Sequence, residues 1–435
     1  DECHDASYYQ QDMTPAFSAI DAALAYSRLC GAVVLLGSAT PSVEQTYHAE
    51  RKHWTVIDLP ERIMAHRETV RSRMEPFGLT APHFDETNGV TASLPLPPVE
   101  VVDMREELKA GNRDIFSRSL KTALQETLQA NQQAILFLNR RGSSTYLFCR
   151  SCGNGLRCPR CDLPLTLHTT DNLLHCHSCG YTRQVPQRCP NCKSTAFGKL
   201  GTGTERVEQT LHELLPEARV LRWDADTARQ KGAHELMMAH FANHRADVLV
   251  GTQMLAKGLD LPLVTLVGVI LADVGLNLPD FRANERTFQL LTQVAGRAGR
   301  SPLGGKVVLQ TYEPDRYAIQ AAARHDLAGF TERELAERRR LGYPPFTRLV
   351  RIEIRDASVT AAEAAAQALA AQLRAWIDEG EHHATSLIGP APCYYTRQGG
   401  EYRWHILMRG PDPASILRGR RLERCRVTVD PVDVL

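Results

Sequence analysis

Several features that would narrow the function of this 435-residue chain are absent. No apolar run is long enough to cross a membrane. The longest, Val264 to Ala272, is about half the length of a span, and no signal peptide is visible. A formal net charge of +1 supplies no bulk field for nucleic acid, so any such contact must come from local patches. Only Cys3, Cys30, Cys393 and Cys425 lie outside one dense cluster, which argues against a disulfide-stapled secreted protein and for a reduced, cytoplasmic one. There is no internal repeat beyond the cysteine pairs. There is also no Gly-x-x-x-x-Gly-Lys-[Ser/Thr] loop, the backbone cradle for nucleotide phosphates. Gly198-Lys199-Leu200 and Gly305-Lys306-Val307 come nearest, and both lack the following hydroxyl.

What is present starts with eight cysteines arranged as four Cys-x-x-Cys pairs: Cys149/Cys152, Cys158/Cys161, Cys176/Cys179 and Cys189/Cys192. Two residues between thiols let both sulfurs of one turn grip one ion, and two grips complete a tetrahedral Zn(Cys)4 site. Four pairs therefore predict two Zn2+ ions. In a nested pairing the second and third pairs enclose a loop of ribbon length, and the outer pairs clamp its base. Sequential pairing is the alternative that spacing leaves open. His168, His175 and His177 are expected at the surface, since eight thiols suffice. Eight thiolates and two Zn2+ nearly cancel the module's excess of arginine over aspartate, so any DNA contact would depend on where Arg150, Arg157, Arg160, Arg183 and Arg188 point.

At this length about three domains are expected, of α/β class with parallel sheets. In the first segment, residues 16–29 have helical character, and Val33-Val34-Leu35-Leu36 reads as a buried parallel strand ending at Gly37-Ser38-Ala39-Thr40-Pro41. Residues 76–98 are rich in Pro, Gly, Thr and Asn and read as a linker. Strands at 99–102, 134–138, 219–222, 248–251, 264–271 and 305–310 then alternate with helices at 117–129, 205–215, 233–243 and 284–295. That alternation implies a parallel sheet with crossover helices, interrupted by the cysteine module. The tail reads β-α-β-β-α-β, a small α+β domain with helices at 360–378 and 413–422. Arg338-Arg339-Arg340 reads as a solvated helix end, with phosphate contact as the alternative. Tyr402 and Trp404 could stack on bases, with core packing the expected use of Trp404.

Four motifs follow one another. Asp1-Glu2-Cys3-His4 has the D-E-x-H form, in which the first carboxylate helps hold Mg2+ and the second positions a water for phosphoryl transfer. Gly37-Ser38-Ala39-Thr40 comes one helix later, and Gly251-Thr252-Gln253 to Gly258 ends a strand. Gln293-Val294-Ala295-Gly296-Arg297-Ala298-Gly299-Arg300 lies on a helix, where Arg297 and Arg300, three apart, share a face from which to reach phosphate oxygens. Glycines at 296 and 299, costing about 1 kcal/mol each in a helix, argue that this face is kept thin. In this order the motifs resemble those of the superfamily 2 helicases. With the cysteine insertion after Phe137-Leu138-Asn139-Arg140-Arg141-Gly142, the resemblance narrows to the replication-restart helicases of the primosomal protein N′ (PriA) family. Arg222-x-Asp224-x-Asp226-Thr227, Asp280-Phe281-Arg282-Ala283-x-Glu285-Arg286, Tyr343-Pro344-Pro345-Phe346 and Val429-Asp430-Pro431 extend it over nearly the whole chain.

The resemblance implies an ATP-dependent 3′–5′ DNA helicase that recognises stalled forks and reloads the replicative helicase. Its implied partners are fork and single-stranded DNA, other primosome proteins and single-stranded DNA-binding protein, with no membrane. Asp1 and Glu2 would be the magnesium and water-activating carboxylates, His4 the coupling residue, and Ser38 and Thr40 the link between lobes. Gln293, Arg297 and Arg300 would face the nucleotide, with Gly251 and Asp260 beside it. The family's metal ligands are nested: Cys149, Cys152, Cys189 and Cys192 on one ion, Cys158, Cys161, Cys176 and Cys179 on the other. Implied domains are the C-terminal part of the first RecA-like lobe (1–75), a linker (76–98), the second lobe in two parts (99–148 and 193–330), the zinc module (149–192) and a C-terminal DNA-binding domain with its leading helix (331–435). The family usually has Glu where Cys3 stands, Phe after Asp260 where Leu261-Pro262 stands here, and Arg at the positions of Ala16 and Ile20. Its phosphate loop lies upstream of D-E-x-H, so the chain reads as a fragment beginning inside the first lobe, inactive alone, with that lobe's sheet edge exposed. The competing reading is a non-catalytic zinc-ribbon module that binds DNA and partners.

Overall fold

The computed structural model describes residues 1–10, 16–59, 63–66, 85–87, 91–93, 96–138, 145–160, 163–168, 172–200, 203–224, 233–252, 261, 263–298, 301 and 303–435. Its centre is a six-stranded, all-parallel sheet. Across it the strands run Val220–Trp223, Val248–Gly251, Gln133–Phe137, Val264–Val269, Lys306–Thr311 and Val99–Asp103. Gln133–Phe137 is buried throughout, as an inner parallel strand covered on both faces must be. The helices Arg118–Gln129 and Thr204–Leu214 pack on one face through Leu120, Leu124, Val207 and Leu211. Ala283–Ala298 and Tyr317–Ala323 pack on the other through Phe288, Leu291, Val294 and Ile319.

The helix Val43–Arg51 starts with a reciprocal capping box, Ser42 with Gln45, and its Val43 enters the core on the second face. The expected strand Val33–Leu36 does not form. Val33 and Leu35 are 87% and 83% exposed. A strand requires hydrogen-bonded neighbours, and none of the described residues flank this run. Within residues 60–95, Ile63–His66, Thr91–Ser93 and Asp85–Thr87 make a three-stranded antiparallel sheet, two of whose strands lie in the stretch read as linker.

The cysteine module carries its own five-stranded sheet, ordered Thr182–Gln184, Leu173–His175, Thr166–His168, Thr145–Cys149 and Phe197–Leu200. The last two pair, Cys149 opposite Phe197, so the insertion leaves the six-stranded parallel sheet and returns to it side by side. The tail is an antiparallel sheet ordered Ser386–Gln398, Glu401–Gly410, Arg348–Asp356 and Cys425–Val429, with the helix Val359–Glu379 on one face. The two short strands expected near Ser386 and Tyr394 are one long strand with shifts in register. The expected helix 413–422 is a single 3-10 turn, Pro413–Leu417, and Gly419 lies shortly beyond it with φ +73°.

Candidate functional site

The cysteine sulfurs gather in two clusters. Cys149, Cys152, Cys189 and Cys192 lie within 4.8 Å of one another, and so do Cys158, Cys176 and Cys179; Cys161 lies outside the described residues. This is the nested grouping. Sulfurs of Cys149 and Cys192 are 3.5 Å apart, Cys152 and Cys189 3.7 Å, and Cys158 and Cys179 3.5 Å. Ligands about 2.3 Å from a tetrahedral Zn2+ sit about 3.8 Å apart, so the donor set fits zinc. Local turns aim the thiols. In the three pairs whose closing residue is described, the residue after the second cysteine takes the left-handed conformation: Gly153 (φ +71°), Gly180 (φ +73°) and Lys193 (φ +62°). Each turn is closed by backbone bonds, such as Gly180 N–H to the Cys176 carbonyl at 3.0 Å. Burial pushes the Cys149 thiol up to about 12 and the Cys179 thiol up to about 11. The Ser194 backbone N–H holds Cys192 down at about 7. A divalent cation is what turns such buried thiols into thiolates at neutral pH.

The clusters rest on different neighbours. At the outer one, Gly153 lies against one end of the six-stranded parallel sheet, where a Cβ would collide with the Tyr312 carbonyl and press on Arg105. Phe148 packs on the Tyr312 ring at 4.5 Å. At the inner one, His177 is 2% exposed rather than at the surface as expected. Its Nδ1–H donates to the Pro392 carbonyl of the tail at 2.9 Å, leaving Nε2 to accept from His168 Nε2–H at 3.0 Å. In return His405 Nε2–H donates to the His177 carbonyl at 2.7 Å. Burial lowers both His177 and His405 to about 3, so both stay neutral.

The D-E-x-H residues meet the other motifs. His4 Nδ1 lies 2.6 Å from Ser38 Oγ, and Gln293 Nε2–H donates to His4 Nε2 at 2.8 Å. Nε2 is therefore the acceptor and Nδ1–H donates to Ser38. Glu2 is 3.4 Å from the same ring. The Cys3 N–H donates to the Gly37 carbonyl, and the Cys3 carbonyl accepts from Gln45. Gln289 donates to the Thr40 carbonyl at 3.1 Å, a second link from that segment to the Ala283–Ala298 helix. Arg297, one turn beyond Gln293, is buried. A side chain at Gly296 would meet nothing within 4 Å among the described residues, so that glycine leaves an open notch. Asp1 and Glu2 are exposed at the head of the segment. Gly251 is buried at its strand end, where its carbonyl accepts from Leu138 N–H. Asp260, Gly299 and Arg300 lie outside the described residues. Ile20 is buried, whereas Ala16 is exposed.

Arg338, read as part of a solvated helix end, is instead 2% exposed. Its guanidinium reaches Glu285 at 2.7 Å, Glu334 at 2.8 Å and Glu44 at 3.4 Å, and Arg282 also holds Glu44 at 2.6 Å. Burial alone would lower Arg338, but the three carboxylates raise it. Glu285 further accepts from Val43 N–H at 2.7 Å, at the start of the Val43–Arg51 helix. Arg339 sits over the Phe346 ring and exposed Arg340 pairs with Glu337. Sequence reasoning also missed Asp273. It accepts from Thr311 Oγ1 and from the Tyr312 and Glu313 N–H groups, and burial raises it to about 6. Only its position just after an apolar strand could have signalled it.

Three family profiles match the chain. They are the PriA DNA helicase Cys-rich region domain at residues 158–184, the helicase conserved C-terminal domain at 200–302, and the primosomal protein N C-terminal domain at 339–432. Replication restart protein PriA of Synechocystis sp. is 41% identical over 426 residues, 96% of this chain and 47% of that protein. The Bacillus subtilis protein of the same name is 41% identical over 409 residues, 94% and 47%. The chain thus spans about half the length of these relatives. Among solved structures, S. cerevisiae Dbp5 bound to RNA and ADP BeF3 gives a TM-score of 0.28 at 13% identity, over 62% of this chain and 52% of that one, too slight a likeness to bear on the fold. No helix among the described residues is long and apolar enough to cross a membrane. The profiles, the similarity over nearly all of this chain and the cysteine clusters together place the chain in the replication restart protein PriA family.

Proposed function

We propose that this chain works within an ATP-dependent DNA helicase of the replication restart primosome, which moves 3′ to 5′, recognises stalled forks and reloads the replicative helicase. The observation that carries the reading is the His4 ring held between Ser38 and Gln293. One imidazole touches the acidic box, the Ser-Ala-Thr turn and the arginine-bearing helix, so a change at any one is felt by the others. Asp1 would hold Mg2+ and, with Gly251, Asp260, Arg297 and Arg300, line the nucleotide. Mg2+-ATP, when bound, supplies the phosphoryl group whose transfer to water drives the cycle. Glu2 would orient that water, and Arg297 and Arg300 would stabilise the spreading charge. The outer cysteines would hold one Zn2+ and the inner ones, with Cys161, a second. Fork DNA, single strands, single-stranded DNA-binding protein and other primosome proteins are the proposed partners.

The test is DNA-stimulated ATP hydrolysis by a longer protein that joins this chain to a phosphate loop. Arg300→Ala is expected to lower turnover about 10^3-fold, and unchanged turnover would overturn the phosphate role. Gln293→Ala is expected to cut stimulation by DNA about ten-fold, the equivalent of one charge-sensitive hydrogen bond, while basal hydrolysis persists. The chain alone is expected to retain little or no labelled ATP.

A further inference from the structure

The strand Arg348–Asp356 alternates strictly. Val350, Ile352 and Ile354 face the helix-covered core, which leaves Arg351, Glu353 and Arg355 on the opposite face. Cross-strand register sets Arg403 opposite Arg355 and Arg426 opposite Glu353. Glu353 is shared by Arg355 at 2.6 Å, Arg403 at 2.6 Å and Arg351 at 3.2 Å. Burial alone would raise its carboxyl, but the Arg403 bond and the charges of Arg351 and Arg403 hold it at about 2. Arg351 also donates to the Leu435 carbonyl at 2.7 Å, yet among the described residues the buried Nε groups of Arg351 and Arg403 have no acceptor. These side chains line a cavity of about 400 Å³, open to solvent, whose other walls include Tyr395 and, from the start of the chain, Tyr9. Arg426 lines the cavity too, and the side-chain carboxylates among its described lining residues are Glu353 and Asp433.

We infer that this cavity seats one nucleotide of a single nucleic-acid strand, its phosphate on Arg355 and Arg426 and its base against Tyr395. Guanidiniums match phosphate oxygens in pairs, an aromatic wall takes any base, and the volume suits a ligand of that size. An acidic peptide would satisfy the arginines but leave the two phenol rings without a purpose. The inference rests on the DNA-binding part of the function proposed above, and it assigns that binding to a defined place.

The chain as it stands is titrated with fluorescein-labelled oligo(dT), and with 5-iodouracil-bearing oligo(dT) under irradiation. Arg355→Gln and Arg426→Gln are each expected to weaken binding about ten-fold and to reduce the slope of log K against log salt by about 0.7, with melting temperature and zinc content retained. The iodouracil should crosslink to the peptide containing Tyr395. Binding that persists with unchanged affinity and slope in both variants overturns the pocket and leaves DNA binding intact. Polyglutamate displacing oligo(dT) at equal charge concentration reassigns the cavity to acidic peptides, and inorganic phosphate displacing it at equal phosphate concentration reassigns it to a free anion; either overturns the proposal. If the unaltered chain binds no oligo(dT), the DNA-binding reading falls with it.

Discussion

The two cysteine clusters share one chemistry and differ in what they hold. The outer one sits on the motor sheet through Gly153, Phe148 and Tyr312. The inner one sits on the tail through His177, Pro392 and His405. Metal-closed turns cannot easily rearrange, so the module is a stiff bridge between the parallel sheet and the tail, and each cluster governs one end. Cys-x-x-Cys pairs alone could not say this. The contrast is written in the residues just after or between the cysteines, glycine in one case and histidine in the other.

Removing metal should test the comparison hardest. Two equivalents of zinc are expected, and chelation should unfold the module, a loss on the order of 10 kcal/mol of binding-coupled stability. Elemental analysis should find one equivalent left in Cys149→Ser and one in Cys176→Ser. Hydrogen exchange should then open near Tyr312 in the first and near Pro392 in the second, and a variant that loses both metals would show one unit rather than two. Next in size is Arg338→Met, which strands Glu285 and Glu334 and should cost about 3–5 kcal/mol by denaturant titration. It should leave zinc content unchanged, because this joint between motor and tail does not pass through the module. His405→Leu removes the donor to the His177 carbonyl and should cost about 1–3 kcal/mol, with exchange rising at the inner cluster only. The smallest pair is Gly180→Ala and Lys193→Gly. The first forces a Cβ into a left-handed turn, 3.2 Å from the Pro390 carbonyl, and should cost about 1–2 kcal/mol. The second relieves the same strain and should be neutral or stabilising by under about 1 kcal/mol; thermal melts would show opposite signs.

Much of the architecture was legible because it depends on local pattern. The alternation of apolar runs and helices across residues 99–310 predicts the parallel sheet, and the cysteine spacing predicts paired metal sites. The failures share a cause. Val33–Leu36 and residues 134–137 are both wholly apolar, yet among the described residues only the second is flanked by strands, and flanking is not written in the run itself. Arg338 and His177 look like surface residues because their partners, Glu44, Glu285, Pro392 and His405, lie far away along the chain. Of the candidate site around the D-E-x-H residues, the contact of His4 with Gln293 spans nearly 290 positions. Motif order could suggest it, but only the fold brings the two side chains together.

The clasp at the base of the insertion has a further effect. Cys149 and Cys192 are 43 positions apart in sequence, yet their sulfurs are 3.5 Å apart. Once that clasp shuts, the folding motor sheet no longer closes a long floppy excursion; it closes a short stem. By polymer-loop scaling the difference is about 1 kcal/mol of chain entropy. Metal loading should therefore quicken assembly of the surrounding sheet, even though none of the seven described thiols of the module belongs to that sheet's own core.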